Sequence, residues 1–365
     1  MTLKSTSGEM RPLRLAAAQL KMLERLSNAC AVSGDEGEVR KIVLEEIRTQ
    51  ADEVRIDNLG NVLATRSGRG EKRLRVMLAA HMDEVGFMLT QNEDKDDGIF
   101  RFDTVGGVHA GYLAGQAVVI GGEHVPGVIG AKPIHLTSSE ERRNSLSPDS
   151  LRIDVGPGNS SRVKVGDRAT FATQFFRVGP SLRGKALDDR LGVASLIELV
   201  KNAPPNIDLL AAFTVQEEIG LRGARVAAYA FDPDLAIVLD CTPANDLPAW
   251  DGSENARYNT RLGGGPAIYL ADSSTLSDPR LIRHLVDTAE QARIPYQFRQ
   301  PGGGGTDAGA IHKQRGGVPS ISLSVPGRYL HTPVSMARLS DWKNSLALVY
   351  HALSRLTPEI LQAER

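Results

Sequence analysis

Two histidines and several acids stand at the ends of apolar runs in this 365-residue chain. Charge is costly to bury there unless something pairs with it. The run Leu74 to Ala80 leads into His81-Met82-Asp83-Glu84. Other runs end at Asp188-Asp189, Glu217-Glu218 and Asp240, and His331 follows another. A metal ion is one of the few partners able to satisfy such a set. Zinc, cobalt and manganese all accept imidazole nitrogen and carboxylate oxygen, and two such ions side by side need about five or six donors. His81, Asp188, Glu218, Asp240 and His331 are the candidate ligands, each from a different element. Asp83, two residues beyond His81 in an extended segment, is placed to accept the imidazole's second N–H and fix its tautomer. Adjacent side chains diverge, so one of Glu217 and Glu218 can ligate while the other faces a metal-bound water. That second carboxylate can take the water's proton and pass it to a leaving amine. The metal lowers the pKa of such a water to about 7, which makes hydroxide available at neutral pH.

Each residue alone has an ordinary reading. His81 could be a core histidine satisfied by a carbonyl, Asp188-Asp189 a helix N-terminus, Glu217-Glu218 a solvated turn, and His331-Thr332-Pro333 a loop. It is the recurrence that favours a metal site. Cys241 follows Asp240 and in an extended segment points the opposite way, so it reads as packing. The loop Gly302 to Ala308 contains a formal G-x-G-x-x-A at Gly303, Gly305 and Ala308. It comes late in the chain, and no acidic residue ends a second strand about 20 residues on, as dinucleotide binding would require. A turn beside the site is the better reading. Its backbone near Gly305 would approach substrate, with Asp307 holding the loop or the substrate amine.

These residues need a scaffold that gathers strand ends. Residues 1–13 read as a disordered lead-in, and a helix is expected from about Arg14 to Asn28. Ser33-Gly34-Asp35-Glu36 has the form of a capping box opening a second helix to about Gln50. A hairpin over Val54 to Thr65 and a strand over Arg73 to Ala80 follow. From 86 to 177 only short strands separated by Gly, Pro and Asp appear, the pattern of a small β-barrel. Within it the polar stretch 137–150 reads as a mobile loop. From Ser181 strands and helices alternate, as in an α/β domain with a mostly parallel sheet, whose opening is supplied by residues 14–85. The β-barrel is therefore an insertion into a catalytic unit of 14–85 and 178–365. In such sheets ligands sit beyond the carboxyl ends of the strands, where the charged residues fall.

The motifs HMDEVGF, GKALDDRLG, VQEEIGLRGA, LDCTPAND, GGGTDAGAI and HTPVSM occur here in that order. In this the chain resembles the tetrahedral co-catalytic metalloaminopeptidases, which include glutamyl, leucyl and lysyl enzymes and members labelled deblocking aminopeptidase or endoglucanase. The resemblance covers nearly the whole chain, including GVIGAKPIHL in the insert. It implies an α/β/α sandwich with a PDZ-like or barrel-like insert used for oligomerisation. It also implies two metal ions on His81, Asp188, Glu218, Asp240 and His331, bridged by Asp188. Glu217 would be the general base, Asp83 the orienting acid, and the assembly a dodecamer built from dimers. Asp188 is taken as the bridge because some relatives carry Asn at the position of Asp189.

Bulk properties set the outer limits. A formal charge of −1, with 43 basic and 44 acidic residues spread along the chain, argues against a nucleic-acid surface. No apolar stretch reaches the roughly 20 residues that span a bilayer. Two cysteines, Cys30 and Cys241, suit a reducing cytoplasm. The expected activity is hydrolysis of the first peptide bond of short peptides with a free N-terminus, by a metal-bridged hydroxide. Zinc or cobalt is the expected metal, with manganese also accepted. A glycosidase using paired carboxylates and a non-catalytic scaffold of the same fold are the alternatives. The 5% aromatic content, with two Trp, disfavours the first.

Overall fold

The computed structural model describes residues 13, 15–94, 97–248 and 260–365. The expected lead-in, 1–13, falls outside them apart from residue 13. The first helix, Ala17–Asn28, is followed by Gly37–Ile47 and then by the expected hairpin, Glu53–Ile56 with Val62–Arg66.

Four neighbouring strands run parallel at the centre of one large sheet: Ile207–Thr214, Leu74–His81, Leu235–Pro243 and Ser320–Arg328. The hairpin flanks them antiparallel on one side. On the other side come Ser335–Arg338, Ser181–Gly184 and Phe176–Val178, also antiparallel. Parallel pairing thus dominates where helices cover both faces, as burial of parallel strands requires. Along Leu74–His81, Val76, Leu78 and Ala80 enter one core and Met77 and Ala79 the other, the two-residue period of a strand. The first core packs Ala17–Asn28, Leu187–Lys201, Pro279–Ala292 and Leu339–Arg355. The second takes Arg222–Phe231 and the short Ala308–Ile311. The result is the expected α/β/α sandwich.

Six strands close into a separate antiparallel barrel, in the order Gly86–Asp94, Ile99–Val105, Arg152–Asp154, Val125–Gly130, Ala117–Ile120 and Arg168–Phe171. Its interior is apolar, and Phe87 meets Phe102 and Phe171 edge-on at 5.1 and 5.3 Å. The chain rejoins the large sheet at Phe176, slightly before the expected boundary at 178, because Phe175 already packs into the sheet's core. Residues 137–150 form an exposed excursion with short turns of 3-10 helix at Glu141–Arg143 and Pro148–Ser150.

The expected capping box does not form. Glu36 itself is the N-cap of Gly37–Ile47 and makes no side-chain cap bond, and its Oε1 accepts from the Gly34 N–H. Ser33 lies three residues too early, in a turn closed by Asp35 N–H to Val32 O. Its hydroxyl donates to the buried Asp83 carboxylate at 2.6 Å. A charge-assisted bond in a dry site outweighs a helix cap.

Candidate metal centre

Strand register places the first two residues. Val238 pairs with Ala79, so Asp240 stands level with His81 on the next strand, and the two-residue period turns both side chains to the same face. Thr214 pairs with His81 on the other side, which brings Glu217 and Glu218 just beyond the strand end. Asp188 enters at the start of Leu187–Lys201, where Asp188 and Asp189 have non-helical dihedrals and are joined by a cis peptide. His331 follows Ser320–Arg328. Ala186, Gln216, Leu221, Tyr329 and His331 all have φ between 52° and 60°. Non-glycine residues there cost about 1–3 kcal/mol each and gather at functional sites.

Asp188 lies between the two histidines. Its Oδ1 is 3.2 Å from His81 Nε2 and its Oδ2 3.5 Å from His331 Nε2. Asp240 Oδ1 stands 3.9 Å from His81 Nε2, and Glu218 Oε2 3.4 Å from His331 Nε2. Donors about 2.0–2.2 Å from a shared ion sit at such separations from one another. All five expected ligands therefore converge, in two groups that have Asp188 in common. Donor atoms of His81, Asp188 and Glu218 lie within 4.8 Å of one another, as do those of His81, Asp189 and Asp240. Asp189 is held differently: its Oδ1 accepts from the Gly192 N–H and its Oδ2 is buried without a partner among the described residues.

The far nitrogens are anchored by carbonyls. His81 Nδ1 faces Asp83 O at 3.1 Å, and His331 Nδ1 faces Gly107 O at 3.0 Å. An N–H donated there turns each Nε2 toward the acids. The expected arrangement, with the Asp83 carboxylate accepting from His81, is only partly realised, since that carboxylate stands 3.5 Å away. Its oxygens accept from the N–H groups of Glu217 and Glu218 at 3.0 and 3.2 Å and from Ser33 Oγ. Asp83 thus places the glutamate pair as well as the imidazole.

Burial is the largest influence on every acid here. It pushes Glu217 and Asp240 well above the usual carboxylate range, reinforced by Glu218 and Asp307 around the first and by Asp188 and Asp189 around the second. Glu218 rises to about 7, from burial and from Asp188. Asp188 goes the other way: burial opposes its charge, but His331 and His81 hold it below the ordinary value. Burial also opposes protonation of the histidines, yet Asp188 lifts His331 to about 9, and Asp188 with Asp83 lifts His81 well above its usual value. Burial thus favours the protonated forms of Glu217, Glu218 and Asp240, and Asp188 those of the two histidines. Among the described residues Asp188, Glu218 and Asp240 form ion pairs only with these two histidines.

The site floors a cavity of about 670 Å³, walled by Leu221, Tyr269, Ser274, Arg299 and Leu330. Gly305 lines it, and a Cβ there would meet Ser274 Oγ at 2.8 Å. Asp307 does not. It is buried beneath the loop, where its Oδ2 accepts from Thr214 Oγ1. Cys241 is buried and donates to the Leu187 carbonyl, but it also lines the cavity beside Asp240 rather than turning wholly away from it. Sequence reasoning missed three supports: Ser33, Gly107 and Thr214. Ser33 was hidden by its resemblance to a helix cap, and Gly107 lies in the inserted barrel. A Cβ at Gly107 would stand 3.3 Å from His331 Nδ1, so the barrel touches the site.

A putative aminopeptidase of Acetivibrio thermocellus is 37% identical over 91% of this chain and 97% of its own. The TET aminopeptidase of a marine-sediment archaeon of the Thaumarchaeota superposes with a TM-score of 0.89 at 34% identity, covering 95% of this chain and 99% of that one. The TET1 peptidase of Pyrococcus horikoshii, which assembles into a tetrahedron or a large octahedral shell, gives 0.80 at 32% identity over 93% and 100%. The pattern of the M42 glutamyl aminopeptidases matches residues 60–348, and the chain belongs to that family of metallo-aminopeptidases.

Proposed function

We propose that the cavity floor holds two divalent ions, zinc or cobalt with manganese also accepted, and that the protein removes N-terminal residues from short peptides. His81 and Asp240 would hold one ion, Glu218 and His331 the other, with Asp188 shared. The observation behind this is Asp188, whose two oxygens face two histidines from opposite sides. When bound, the ions supply Lewis acidity and make water acidic enough to attack at neutral pH. Glu217 takes the proton of the attacking water and delivers it to the leaving amine. Its burial, which raises its proton affinity, suits that exchange. Asp83 aims the base by gripping the Glu217 and Glu218 amides. The absence of a Cβ at Gly305 lets its loop pack close against Ser274 in the cavity wall, and Asp307 holds that loop through Thr214.

The glycosidase alternative lacks a stacking platform, since Tyr269 is the one Phe, Tyr or Trp among the described residues of the cavity wall. The assembly would be a homo-oligomer built from dimers, up to a dodecamer; the TET1 assemblies, one of them a dodecamer, and exposed Ile134, Leu136 and Leu146 on the insert support a large homo-oligomer. Residence in the cytoplasm is supported by two cysteines without a disulfide. No described helix is long and apolar enough to cross a membrane.

The test is a panel of aminoacyl-anilides and dipeptides offered to the purified protein with zinc, cobalt or manganese. Release of the N-terminal residue, stopped by chelation, is expected. No cleavage with any metal, or cleavage indifferent to chelation, would contradict the proposal.

A further inference from the structure

Away from the cavity, Cys30, Glu38 and His124 bring a thiol, a carboxylate and an imidazole to one point, with donor atoms within 4.8 Å of one another. Cys30 precedes the second helix, Glu38 lies in that helix's first turn, and His124 sits in the barrel hairpin between Ala117–Ile120 and Val125–Gly130. The three are already ordered. Glu38 Oε2 accepts from the Cys30 N–H at 2.9 Å, and Glu38 Oε1 contacts His124 Nε2. His124 adopts φ 52°, a left-handed conformation in the turn that presents its ring across the junction. Beside the group opens a cavity of about 270 Å³, lined by Cys30, Asp35, Glu38, Arg168 and Thr170. The Arg168 guanidinium is turned to the carbonyls of Ser33 and Gly166.

A thiolate, an imidazole and one carboxylate are a zinc donor set with a fourth position for water. Calcium and magnesium would take oxygen alone. We propose that Cys30, Glu38 and His124 bind a zinc ion that clamps the inserted barrel to the catalytic unit. Burial pushes the Cys30 thiol up to about 12, so the thiol enters protonated. As the zinc–sulfur bond forms, that proton leaves to solvent, and the Glu38–His124 contact opens to admit the ion. Thiolate and carboxylate together balance its charge. The residues that follow Cys30 reach the catalytic centre by bonds that do not need the ion, since Val32 bridges to Glu84 and Ser33 donates to Asp83.

Cobalt(II) is the probe, because a cobalt–thiolate bond absorbs strongly in the near ultraviolet and none of the five proposed catalytic ligands carries sulfur. Metal-stripped full-length protein titrated with cobalt should develop that band as it takes up one ion per chain beyond the catalytic pair. Cys30→Ser and His124→Ala should each lose the band and that ion while keeping aminopeptidase activity. Absence of the band from the unaltered protein would overturn the proposal. So would its survival in Cys30→Ser, which would assign it to Cys241, or an unchanged titration of His124→Ala on its exposed turn.

Discussion

The same two chain segments build two buried charge clusters of opposite character. Residues 81–84 and 185–190 supply His81, Asp83, Asp188 and Asp189 to the catalytic floor, and Glu84, Lys185 and Arg190 to a second cluster at the barrel junction. In the second, Glu84 accepts from Lys185 Nζ at 2.7 and 2.9 Å, from Arg190, from the Ala31 N–H and from Thr170 Oγ1 of the barrel. Lys185 also reaches the Ala29 carbonyl, and Arg190 those of Leu26, Met82 and Asp83. Burial opposes its charge, yet Lys185 and Arg190 hold Glu84 below its ordinary pKa. On the catalytic floor, among the described residues, Asp188, Glu218 and Asp240 are answered only by the two histidines, and the same burial drives Glu217, Glu218 and Asp240 upward. Burial alone therefore does not mark a functional site. Buried acids left to repel one another do.

The sharpest way to break the comparison is to remove one acid from each cluster. Glu217→Gln should lower kcat by roughly 10²–10⁴, the range for loss of a general base. Metal content and stability should be retained, because Glu217 is not one of the proposed ligands and the neutral amide keeps the shape of the carboxyl whose uncharged form burial already favours. Steady-state kinetics with metal analysis decides it, and loss of assembly instead would give Glu217 a structural role. Glu84→Gln should do the reverse. Leaving Lys185 and Arg190 buried without their carboxylate should cost about 3–5 kcal/mol in a urea titration.

How far this contrast was legible in the sequence depends on range. His81 and Asp240 stood out because each ends an apolar run of its own strand, a local anomaly. The insertion and the central strands were legible for the same reason, since periodicity is local. The supports were not. Ser33 meets Asp83 across 50 positions, and Asp83 meets the Glu217 amide across 134. Only the folded register creates those bonds. The short strands Ser181–Gly184 and Ser335–Arg338, next to one another on the antiparallel flank of the sheet, were likewise missed, being held by pairing rather than by pattern.

Acidity offers a second test. Glu218 shifts from 4.5 to about 7 and His331 from 6.5 to about 9, so the metal-free fold keeps protons that the unfolded chain releases. Both shifts have the same sign: stability should fall as pH rises from about 4.5 to 9. Asp188, held below 3.8, acts only in stronger acid. Thermal melts in chelator should show this decline and melts with zinc should flatten it. A flat metal-free profile would contradict the account of the floor.

Smaller effects come from the supports. Ser33→Ala removes a bond to a buried carboxylate and should cost about 1.5–3 kcal/mol. Gly107→Ala sets a methyl 3.3 Å from His331 Nδ1 and should mainly weaken metal retention, read as inactivation at lower chelator concentration.

The most direct test is anomalous diffraction from crystals grown with zinc. The account predicts two peaks flanking Asp188, one beside His81 and Asp240 and the other beside Glu218 and His331. An empty floor, or a single ion that leaves Asp188 unshared, would contradict it.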